Sequence, residues 1–461
     1  MKRWFALLSE AIRGSDRDYT IGPVGPALVM LSVPMVLEMA MESLFAVVDV
    51  FYVSRVSADA VATVGITESM MMLVYTVALG LGIGAMAVVA RRTGEKDAEG
   101  AAQAAAQAVA LGVIVAIVVG VLGYFNAEPL LRAMGASESM IGSSLGYTRI
   151  MFAGNATVTL LFLNNAIFRG VGDPAIAMRM LWLGNAINIL VCPLLIFGLG
   201  PFPALGVAGA ALGTNIGRGT AVLAQLWMLT SGRSRIHIER RQMRVEPRVM
   251  WTVCRLSGTG FLQILIDTSS YIGLIRVIST FGSDALAGYT IAFRTLMFAL
   301  MPAWGLGNAA STMVGQALGA RKADRAEASV WTAGKYNAVV LSVVSIAFIV
   351  FAPAIVGIYT TDGIVSRYAI SCLRIVSAGF VFFAYGMVFT LAFNGAGDTW
   401  TPTCINLFCF WVLQIPLAWL LAIHFEMGPQ GVFIAMTVAF STLAVVSAVL
   451  FRRGRWKTTR L

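Results

Sequence analysis

The sequence predicts an all-α integral membrane protein with about twelve transmembrane helices, arranged as two pseudo-symmetric lobes of six helices. Hydrophobic residues make up 58% of the chain and charged residues only 12%, whereas a soluble domain carries about a quarter charged residues. The apolar stretches are also longer than the roughly 20 residues that cross the hydrocarbon layer. Finally, short motifs recur 225 positions apart, which predicts two similar halves.

The repeat is visible in motifs that keep a single register. Gly80-Leu81-Gly82 recurs as Gly305-Leu306-Gly307, and Gly170-Val171-Gly172-Asp173 recurs as Gly395-Ala396-Gly397-Asp398. Further matches are Asp59 with Asp284, Gly94 with Gly319, Arg149 with Arg374, and Gly206-Val207 with Gly431-Val432. Because six spans per half is an even number, both halves enter the membrane in the same sense. We therefore expect an axis along the membrane normal and a central cleft, which is typical of transporters.

Twelve apolar segments have the length of a transmembrane span. They lie at 27–53, 61–88, 100–124, 140–166, 177–199, 205–230, 249–280, 286–317, 328–352, 366–392, 402–424 and 430–451. The chain then divides into a cytoplasmic N-terminal segment (1–26), a first lobe (27–230), a basic cytoplasmic linker (231–248), a second lobe (249–451) and a basic cytoplasmic tail (452–461). Lys2–Tyr19 is expected to form an amphipathic helix on the inner membrane surface.

The net charge of +10 is distributed unevenly over the predicted loops. If the chain starts in the cytoplasm, most basic residues lie on that side, including Arg91, Lys96, Arg169, Arg179 and those of the linker and tail. This is the positive-inside pattern, and it predicts a multi-pass protein of the plasma (inner) membrane with both termini in the cytoplasm. The basic excess is thus explained by topology and contact with anionic lipid, and nucleic-acid binding is not expected.

The cysteines indicate neither a disulfide nor a metal centre. Cys192, Cys254, Cys372, Cys404 and Cys409 lie in or beside apolar spans and show no paired spacing. The Gly-x-Gly-Asp motif predicts a tight turn, in which aspartate can cap the next helix, and the phosphate-binding Walker pattern is absent. We expect no cofactor and no removable signal peptide, and we expect the protein to be a monomer.

The first span carries three acids that share one face. At 3.6 residues per turn, Glu38, Glu42 and Asp49 lie within roughly 40° of one another on a stripe about 16 Å long. An acid at mid-bilayer costs about 2.5–3.5 kcal/mol, so this face is expected to look into a polar cavity or onto partners. Glu38 and Glu42 are one turn apart and should titrate as a coupled pair. Alternatively, Glu42 or Asp49 only accepts hydrogen bonds from hydroxyl or backbone groups.

Other polar residues belong to the same lobe. Glu68 enters from the outer end of the second span, and Asn185 and Asn188 share a face of the fifth. Arg218 lies near the middle of the sixth span and cannot lose its proton, so it is expected to form a structural ion pair with one of these carboxylates. The sequence leaves open which acid is structural and which ones couple to a cation.

The second lobe contains fewer acids, and its polar residues are candidates for substrate binding. Asp267 lies 225 positions after Glu42, and Arg294 in the next span could neutralise it. Aromatic faces attract organic cations, and methionine surfaces adapt to varied shapes. On this basis the candidate substrate-binding residues are Asp267, Arg294, Tyr271, Met71, Tyr75 and Trp304. For each aromatic or methionine residue, packing against lipid or between helices is the alternative.

Several motifs resemble those of one family and lie in matching order along nearly the whole chain. They are Leu31–Pro34 through Val48–Ser54, Phe168–Asp173, Asn185, Asn188, Leu195–Gly198, Pro203–Ala211, Ala285–Ile291 and Gly305–Ala320. The chain is therefore identified as similar to the multidrug and toxic compound extrusion (MATE) family. The resemblance implies a secondary active efflux antiporter that exports bulky, cationic or amphipathic drugs and toxins in exchange for protons, with sodium as the alternative ion.

The resemblance also assigns roles to particular residues. Asp49 matches a first-span acid that is central to cation coupling in the family, and Asn188 matches its fifth-span partner. A second acid that some members carry four residues later is Cys192 here, so the resemblance implies that Glu38, Glu42 or Glu68 compensates. Sodium-coupled members carry an acid in the tenth span, where this chain has no ionisable group stronger than a tyrosine.

Three other functions fit the sequence less well. A flippase for lipid-linked saccharides, from the same superfamily, is the main alternative, but it is expected to have a more cationic cleft. A major-facilitator carrier would carry an Asp-Arg-x-Gly-Arg loop after the second span, and Arg91-Arg92-Thr93-Gly94-Glu95 stands there instead. No nucleophile–base set appears in the sequence, so we do not expect an enzyme.

Overall fold

The structure, a computed structural model, describes residues 2–459. Met1, Arg460 and Leu461, which belong to the predicted N-terminal segment and basic tail, lie outside the described residues. The first half contains α1 (Lys2–Arg13), α2 (Val24–Ser54), α3 (Ala58–Gly94), α4 (Ala98–Phe125), α5 (Ala127–Ala133), α6 (Glu138–Ala153), α7 (Asn155–Val171), α8 (Pro174–Phe197) and α9 (Val207–Thr230).

The second half repeats this order of helices. It contains α10 (Pro247–Ile278), α11 (Ser283–Gly319), α12 (Ala323–Gly357), α13 (Gly363–Ala378), α14 (Phe380–Gly395), α15 (Trp400–Asn406), α16 (Ile415–Trp419) and α17 (Pro429–Arg452). Two π-helical segments, Leu407–Gln414 and Leu420–His424, continue α15 and α16. Short 3₁₀ turns lie at Ser279–Phe281 and Arg455–Thr458.

The helices have the lengths that a membrane requires. Among the described residues, nine helices are long and apolar enough to cross a bilayer, and two bent helix pairs raise this number to eleven. The helix at the sixth predicted span, α9, is 24 residues long but is not among these helices. Its hydropathy is lowered by Asn215, Arg218 and Gln225, which all lie in its central turns.

Each bent pair breaks at a glycine. α6 and α7 meet at Gly154 with a bend of 41°, and α13 and α14 meet at Gly379 with a bend of 59°. In the first pair Asn215 Nδ2 donates to the carbonyl of Ile150, at 3.2 Å. In the second pair Thr437 Oγ1 donates to the carbonyl of Ile375, at 3.0 Å. A side chain that reaches a helix carbonyl in this way is a recognised cause of a kink.

Capping residues explain several helix ends. Ser57 accepts a hydrogen bond from the Ala60 amide at the start of α3, and Asp97 accepts one from Gly100 at the start of α4. Both repeats of the Gly-x-Gly-Asp motif form the predicted turn, since Gly172 and Gly397 have φ angles of 85° and 82°. A side chain at these angles would be strained, so glycine is required at both positions.

The chain forms two compact units. The first contains the described residues through Arg17 together with Leu37–Gly258. Its helices α8 and α9 pack closely because Gly184 and Gly217 meet at their contact. A Cβ atom added to Gly184 would lie 2.9 Å from the Gly217 carbonyl oxygen, so any larger residue would push the two helices apart.

The second unit contains Asp18–Val36 and the chain from Thr259 onward. Its helix α11 packs against α12, α13 and α14, and aromatic rings fill the interior near the end of α17. Phe451 stacks on Trp456 with ring centroids 4.5 Å apart and contacts Phe389 at 5.1 Å. The segment before α2 is held by Arg325, whose guanidinium donates to the carbonyls of residues 19, 21 and 22.

Burial patterns show which positions of the two halves correspond. From α2 through the first half of α8, buried positions match buried positions 225 residues later in the second half. The π-helical segment then adds one residue, so Asn188 corresponds to Gln414, 226 positions later. In the last helix of each half the shift falls to 222, which pairs Arg218 with Phe440. The sequence match of Gly206-Val207 with Gly431-Val432 is therefore corrected, because Gly428 starts α17 with the conformation that Gly206 has at the start of α9.

Candidate functional site in the first unit

The three acids of the predicted stripe lie on α2 within the first unit, and each has different surroundings. Glu38 is 1% exposed and Asp49 is 6% exposed, whereas Glu42 is only partly buried. A buried carboxylate is stable only when other groups compensate its charge or when it binds a proton. The partners of each acid therefore indicate its role.

Glu38 is part of a buried network of four side chains. Its Oε1 accepts a hydrogen bond from Asn165 Nδ2 at 2.8 Å and lies 3.3 Å from Arg169 Nη1. Gln225 Nε2 in turn donates to Asn165 Oδ1 at 2.6 Å. Arg169, which was expected on the cytoplasmic side, is buried in the last turn of α7. Glu38 is therefore neutralised within its own unit.

Glu42 forms the ion pair of Arg218. Arg218 Nη2 lies 2.9 Å from Glu42 Oε1, and Nη1 donates to the hydroxyl of Tyr75 at 2.8 Å. The guanidinium also lies over the ring of Phe45, 4.8 Å from its centroid. Arg218 is only 2% exposed, so removal of Glu42 would leave a buried cation without its carboxylate.

Asp49 differs from the other two acids. Within the described chain no basic side chain lies within 4.0 Å of it, and its buried Oδ1 has no hydrogen-bond partner there. Glu68 and Arg218 interact with it electrostatically at longer range, and so do Tyr147 and Cys192. Asp49 is thus a buried acid without an ion pair, beside one cation that already binds another carboxylate.

The two asparagines of α8 bind other groups than Asp49. Asn185 Nδ2 donates to the carbonyl of Met41 at 3.3 Å. Asn188 Nδ2 donates to Cys192 Sγ at 3.2 Å and lies 3.3 Å from Thr214 Oγ1. No hydrogen bond joins Asn188 to Asp49 in the described residues. The amide oxygens of both asparagines are buried and have no partner there, so they remain acceptors close to the stripe.

The second unit presents a different arrangement around Asp267. This acid on α10 is partly exposed, and no ion pair within 4.0 Å links it to the exposed Arg294 or to any other described basic residue. The nearby Tyr271 packs edge-on against Phe293, with centroids 4.7 Å apart. The Asp267–Arg294 pairing considered from the sequence is therefore not present.

The remaining predicted substrate-binding residues have different surroundings. Met71 is buried in the apolar core of the first unit, together with Val74 and Tyr147. Tyr75 binds Arg218, and Trp304 is exposed on α11. Among the described residues no group of three histidine, cysteine or acidic side chains could hold a metal ion.

Sequence reasoning missed four residues of this site. Asn165, Arg169 and Gln225 complete the Glu38 network, and Tyr147 lies near Asp49. One signal was available, because Asn165 and Arg169 are one turn apart on the same helix and form a polar face like that of Glu38 and Glu42. Nothing in the sequence indicated that this face meets α2.

Comparison with known proteins identifies the family. A sequence model of the family described as MatE matches residues 34–194 and 261–420. The chain belongs to the MATE family. Both matched regions include the segments that carry the acids, Glu38 to Asp49 in the first and Asp267 in the second.

MATE relatives match the chain over nearly its full length. It is 25% identical over 441 residues to a probable multidrug resistance protein, YoeA, of Bacillus subtilis, which covers 94% of this chain and 95% of that protein. It is 23% identical to a protein of Shewanella oneidensis named FAD transporter, with 94% and 95% covered. A solved structure of a MOP superfamily transporter from Pyrococcus furiosus is 26% identical, with a TM-score of 0.89 and coverage of 96% and 98%.

These matches test the predicted fold. Solved MATE transporters superpose on 96% of the chain with TM-scores of 0.88 and 0.89. The predicted all-α membrane fold, with about twelve helices in two lobes of six, is therefore confirmed. The relatives are transporters, and the protein is accordingly a multi-pass membrane transporter.

Proposed function

We propose that the protein is a secondary active multidrug efflux antiporter that exports lipophilic, cationic compounds in exchange for protons. The observation that carries the proposal is the state of Asp49, a buried acid without an ion pair. Glu38 and Glu42 have arginine partners at 3.3 and 2.9 Å. A buried carboxylate without a cation is stabilised by binding a proton, and the same place can hold a proton in one conformation and release it in another.

The substrate class follows from the charges of the first unit. Arg169 and Arg218 are each bound to a carboxylate, so neither is free to hold an anionic substrate. A flippase for a lipid-linked pyrophosphate would need such cations, and this argues against that alternative. Probable multidrug resistance proteins are among the relatives, which supports a drug as the substrate. The relative named FAD transporter makes an anionic dinucleotide the competing substrate.

We further propose that the protein lies in the plasma (inner) membrane as a monomer, with both termini in the cytoplasm. The support is the excess of lysine and arginine in the loops on one side. Labelling of single cysteines introduced at 236 and at 361 from outside intact cells tests this orientation. Only the second position should react.

The proposed function is tested with purified protein in liposomes under imposed gradients. An acidic lumen should drive uptake of an organic cation, because protons leave as the drug enters, and an equal sodium gradient should not. Asp49→Asn should reduce proton-driven uptake at least tenfold, whereas Asp284→Asn, which changes an exposed acid at the start of α11, should not. Three results would contradict the proposal. They are uptake that follows the sodium gradient, uptake of FAD but not of the cation, and unchanged proton-driven uptake in Asp49→Asn.

A further inference from the structure

Arg218 lies between two acids of the stripe. Glu42, Phe45 and Asp49 are spaced by three and four residues on α2, so they stand on one face, one turn apart. The guanidinium of Arg218 lies 4.8 Å from the ring centroid of Phe45, with Glu42 one turn before it and Asp49 one turn after it. It binds Glu42 at 2.9 Å and interacts electrostatically with Asp49. The guanidinium thus stands beside both acids.

The hydrogen bonds of this group are incomplete. Arg218 Nη2 is used by Glu42 and Nη1 by Tyr75. Arg218 Nε is buried and has no partner among the described residues, and the same holds for Glu42 Oε2 and Asp49 Oδ1. A buried donor and two buried acceptors without partners are unfavourable. A rotation of the guanidinium about Phe45 would bring a donor toward Asp49.

Charge counting limits the states that this group can adopt. Arginine keeps its proton in proteins. Arg218, Glu42 and Asp49 therefore carry a net charge of −1 when both acids are ionised and of zero when one acid binds a proton. An uncompensated buried charge is strongly unfavourable. The titratable groups that interact with Asp49 from the other helices, apart from Arg218, are Glu68 of α3, Tyr147 of α6 and Cys192 of α8, and Tyr75 of α3 interacts with Glu42 and Arg218. Of these only Glu68 is an acid, and it is exposed at its position on α3.

We propose that Arg218 is a shared counter-ion that alternates between Glu42 and Asp49, so that the three residues bind one proton as a unit. When Asp49 holds the proton, the guanidinium rests on Glu42, as in this structure. When Asp49 releases it, the guanidinium moves toward Asp49 and holds it ionised. Arg218 is thus a positioning residue for proton coupling, and the inference rests on the proposed function only for the use of that proton in transport.

A shared counter-ion and a merely structural ion pair predict different behaviour for two variants. In Glu42→Gln the guanidinium loses its carboxylate and moves to Asp49, so Asp49 should stay ionised. The double variant Glu42→Gln with Arg218→Met removes the competing cation as well, and Asp49 should bind its proton again. If the pair only holds α2 and α9 together, the double variant should be no better than the single one.

The experiment measures proton binding directly by infrared difference spectroscopy of the purified protein during a pH titration. The wild type should show one carboxylic-acid band that Asp49→Asn abolishes. Glu42→Gln should lack this band from neutral pH down to the range where free carboxyls titrate, and the double variant should regain it. Thr220→Val, two residues after Arg218 on α9, serves as the matched control and should leave the band unchanged.

Transport measurements on the same proteins separate the two proposals. Proton-driven uptake should fall at least tenfold in Glu42→Gln, in which Asp49 stays ionised. It should stay low in the double variant, in which Asp49 binds its proton but lacks the counter-ion that assists its release, while drug counterflow without a gradient persists in both. A normal band in Glu42→Gln, or no band in the double variant, would overturn the shared counter-ion. The expected bands without any proton-driven uptake in the wild type would overturn the proposed function and leave the counter-ion standing.

Discussion

The two halves of the molecule carry different chemistry on corresponding positions of the same helices. In the first half Glu38, Asn165, Arg169 and Gln225 form a charged, hydrogen-bonded network. In the second half the corresponding residues are Gln263, Thr390, Asn394 and Ser447. All four are neutral and buried, and each has a polar side-chain atom without a partner in the described chain. The repeat therefore keeps polar positions while confining the buried charge to one half.

The same contrast holds one turn further along. Glu42 is bound to Arg218, whereas its counterpart Asp267 faces no described cation, because Phe440 occupies the place of Arg218. Burial of a charge is tolerated when a partner charge is placed with it. The comparison teaches that the first half is built to hold several charges in balance, whereas Asp267 in the second half has no ion pair among the described residues.

The largest expected effect concerns the charged network. Arg169→Asn copies the second half and leaves Glu38 buried without its cation, so we expect the stability to fall by about 3–5 kcal/mol. Adding Glu38→Gln removes the unpaired charge and should recover most of this loss. Asn394→Ala, the matched change in the second half, removes no hydrogen bond and should change the stability by only about 1 kcal/mol. Thermal unfolding in detergent measures all three, and equal losses in Arg169→Asn and the double variant would contradict the comparison.

A smaller effect is expected on substrate affinity. Asp267 has no ion pair within its own unit, so Asp267→Asn should raise the KM for an organic cation roughly five- to tenfold, since about 1.4 kcal/mol corresponds to a factor of ten. The pH gradient should still drive uptake in this variant, in contrast to Asp49→Asn. Initial rates in liposomes over a range of substrate concentrations provide the check. Loss of proton driving in Asp267→Asn would show that the second half also couples.

A third contrast lies at the helix starts that follow the second and eighth spans. Asp97 accepts a hydrogen bond from Gly100 and caps α4, whereas Lys322 stands at the corresponding place before α12 and makes no such cap. Asp97→Ala should therefore reduce the stability by about 1 kcal/mol. Lys322→Ala loses only a bond to the carbonyl of Thr20 and should have a smaller effect. Unfolding temperatures of the two variants decide this, and a larger loss in Lys322→Ala would refute it.

The smallest effect depends on pH and compares Asp173 with Asp398. Asp398 accepts hydrogen bonds from the amide and hydroxyl of Thr401, at 3.1 and 2.7 Å, whereas Ile176 at the corresponding place offers no hydroxyl. Burial raises the pKa of Asp173, and Arg235 and Arg179 offset only part of this. The folded state then binds this proton more tightly than the unfolded state, so it loses stability as the pH rises from the ordinary carboxyl range through the raised pKa.

Asp173→Asn removes this loss. The variant should gain stability relative to the wild type as the pH increases through that range, by less than about 1 kcal/mol because the residue is only partly buried. Asp398→Asn should instead lose a comparable amount through its weakened cap. Unfolding temperatures measured from pH 4 to pH 8 test both variants. A stability difference for Asp173→Asn that does not vary with pH would rule out the raised pKa.

The sequence predicted the features that depend on spacing along one helix. Spans, repeat and acidic stripe follow from apolar length, motif offset and 3.6-residue periodicity, and the structure contains all three. The ion partner of Glu38 was not predictable, because Arg169 lies in the last turn of a helix, where a basic residue usually marks the start of a loop. The break at Gly154 was not predictable either, since it depends on Asn215 reaching a carbonyl of another helix.

The π-helical segment Leu407–Gln414 has a consequence for anyone who recombines the two halves. It inserts one residue without ending the helix, and the shorter connection from Phe425 to Gly428 then removes more residues than were added. A chimera that exchanges α8 for its counterpart at a constant offset would rotate everything beyond Phe410 by about 100°. Gln414 would then face away from the place that Asn188 occupies. Crossovers should be placed before Phe410 or at the glycines Gly206 and Gly428, where the two halves return to the same backbone geometry.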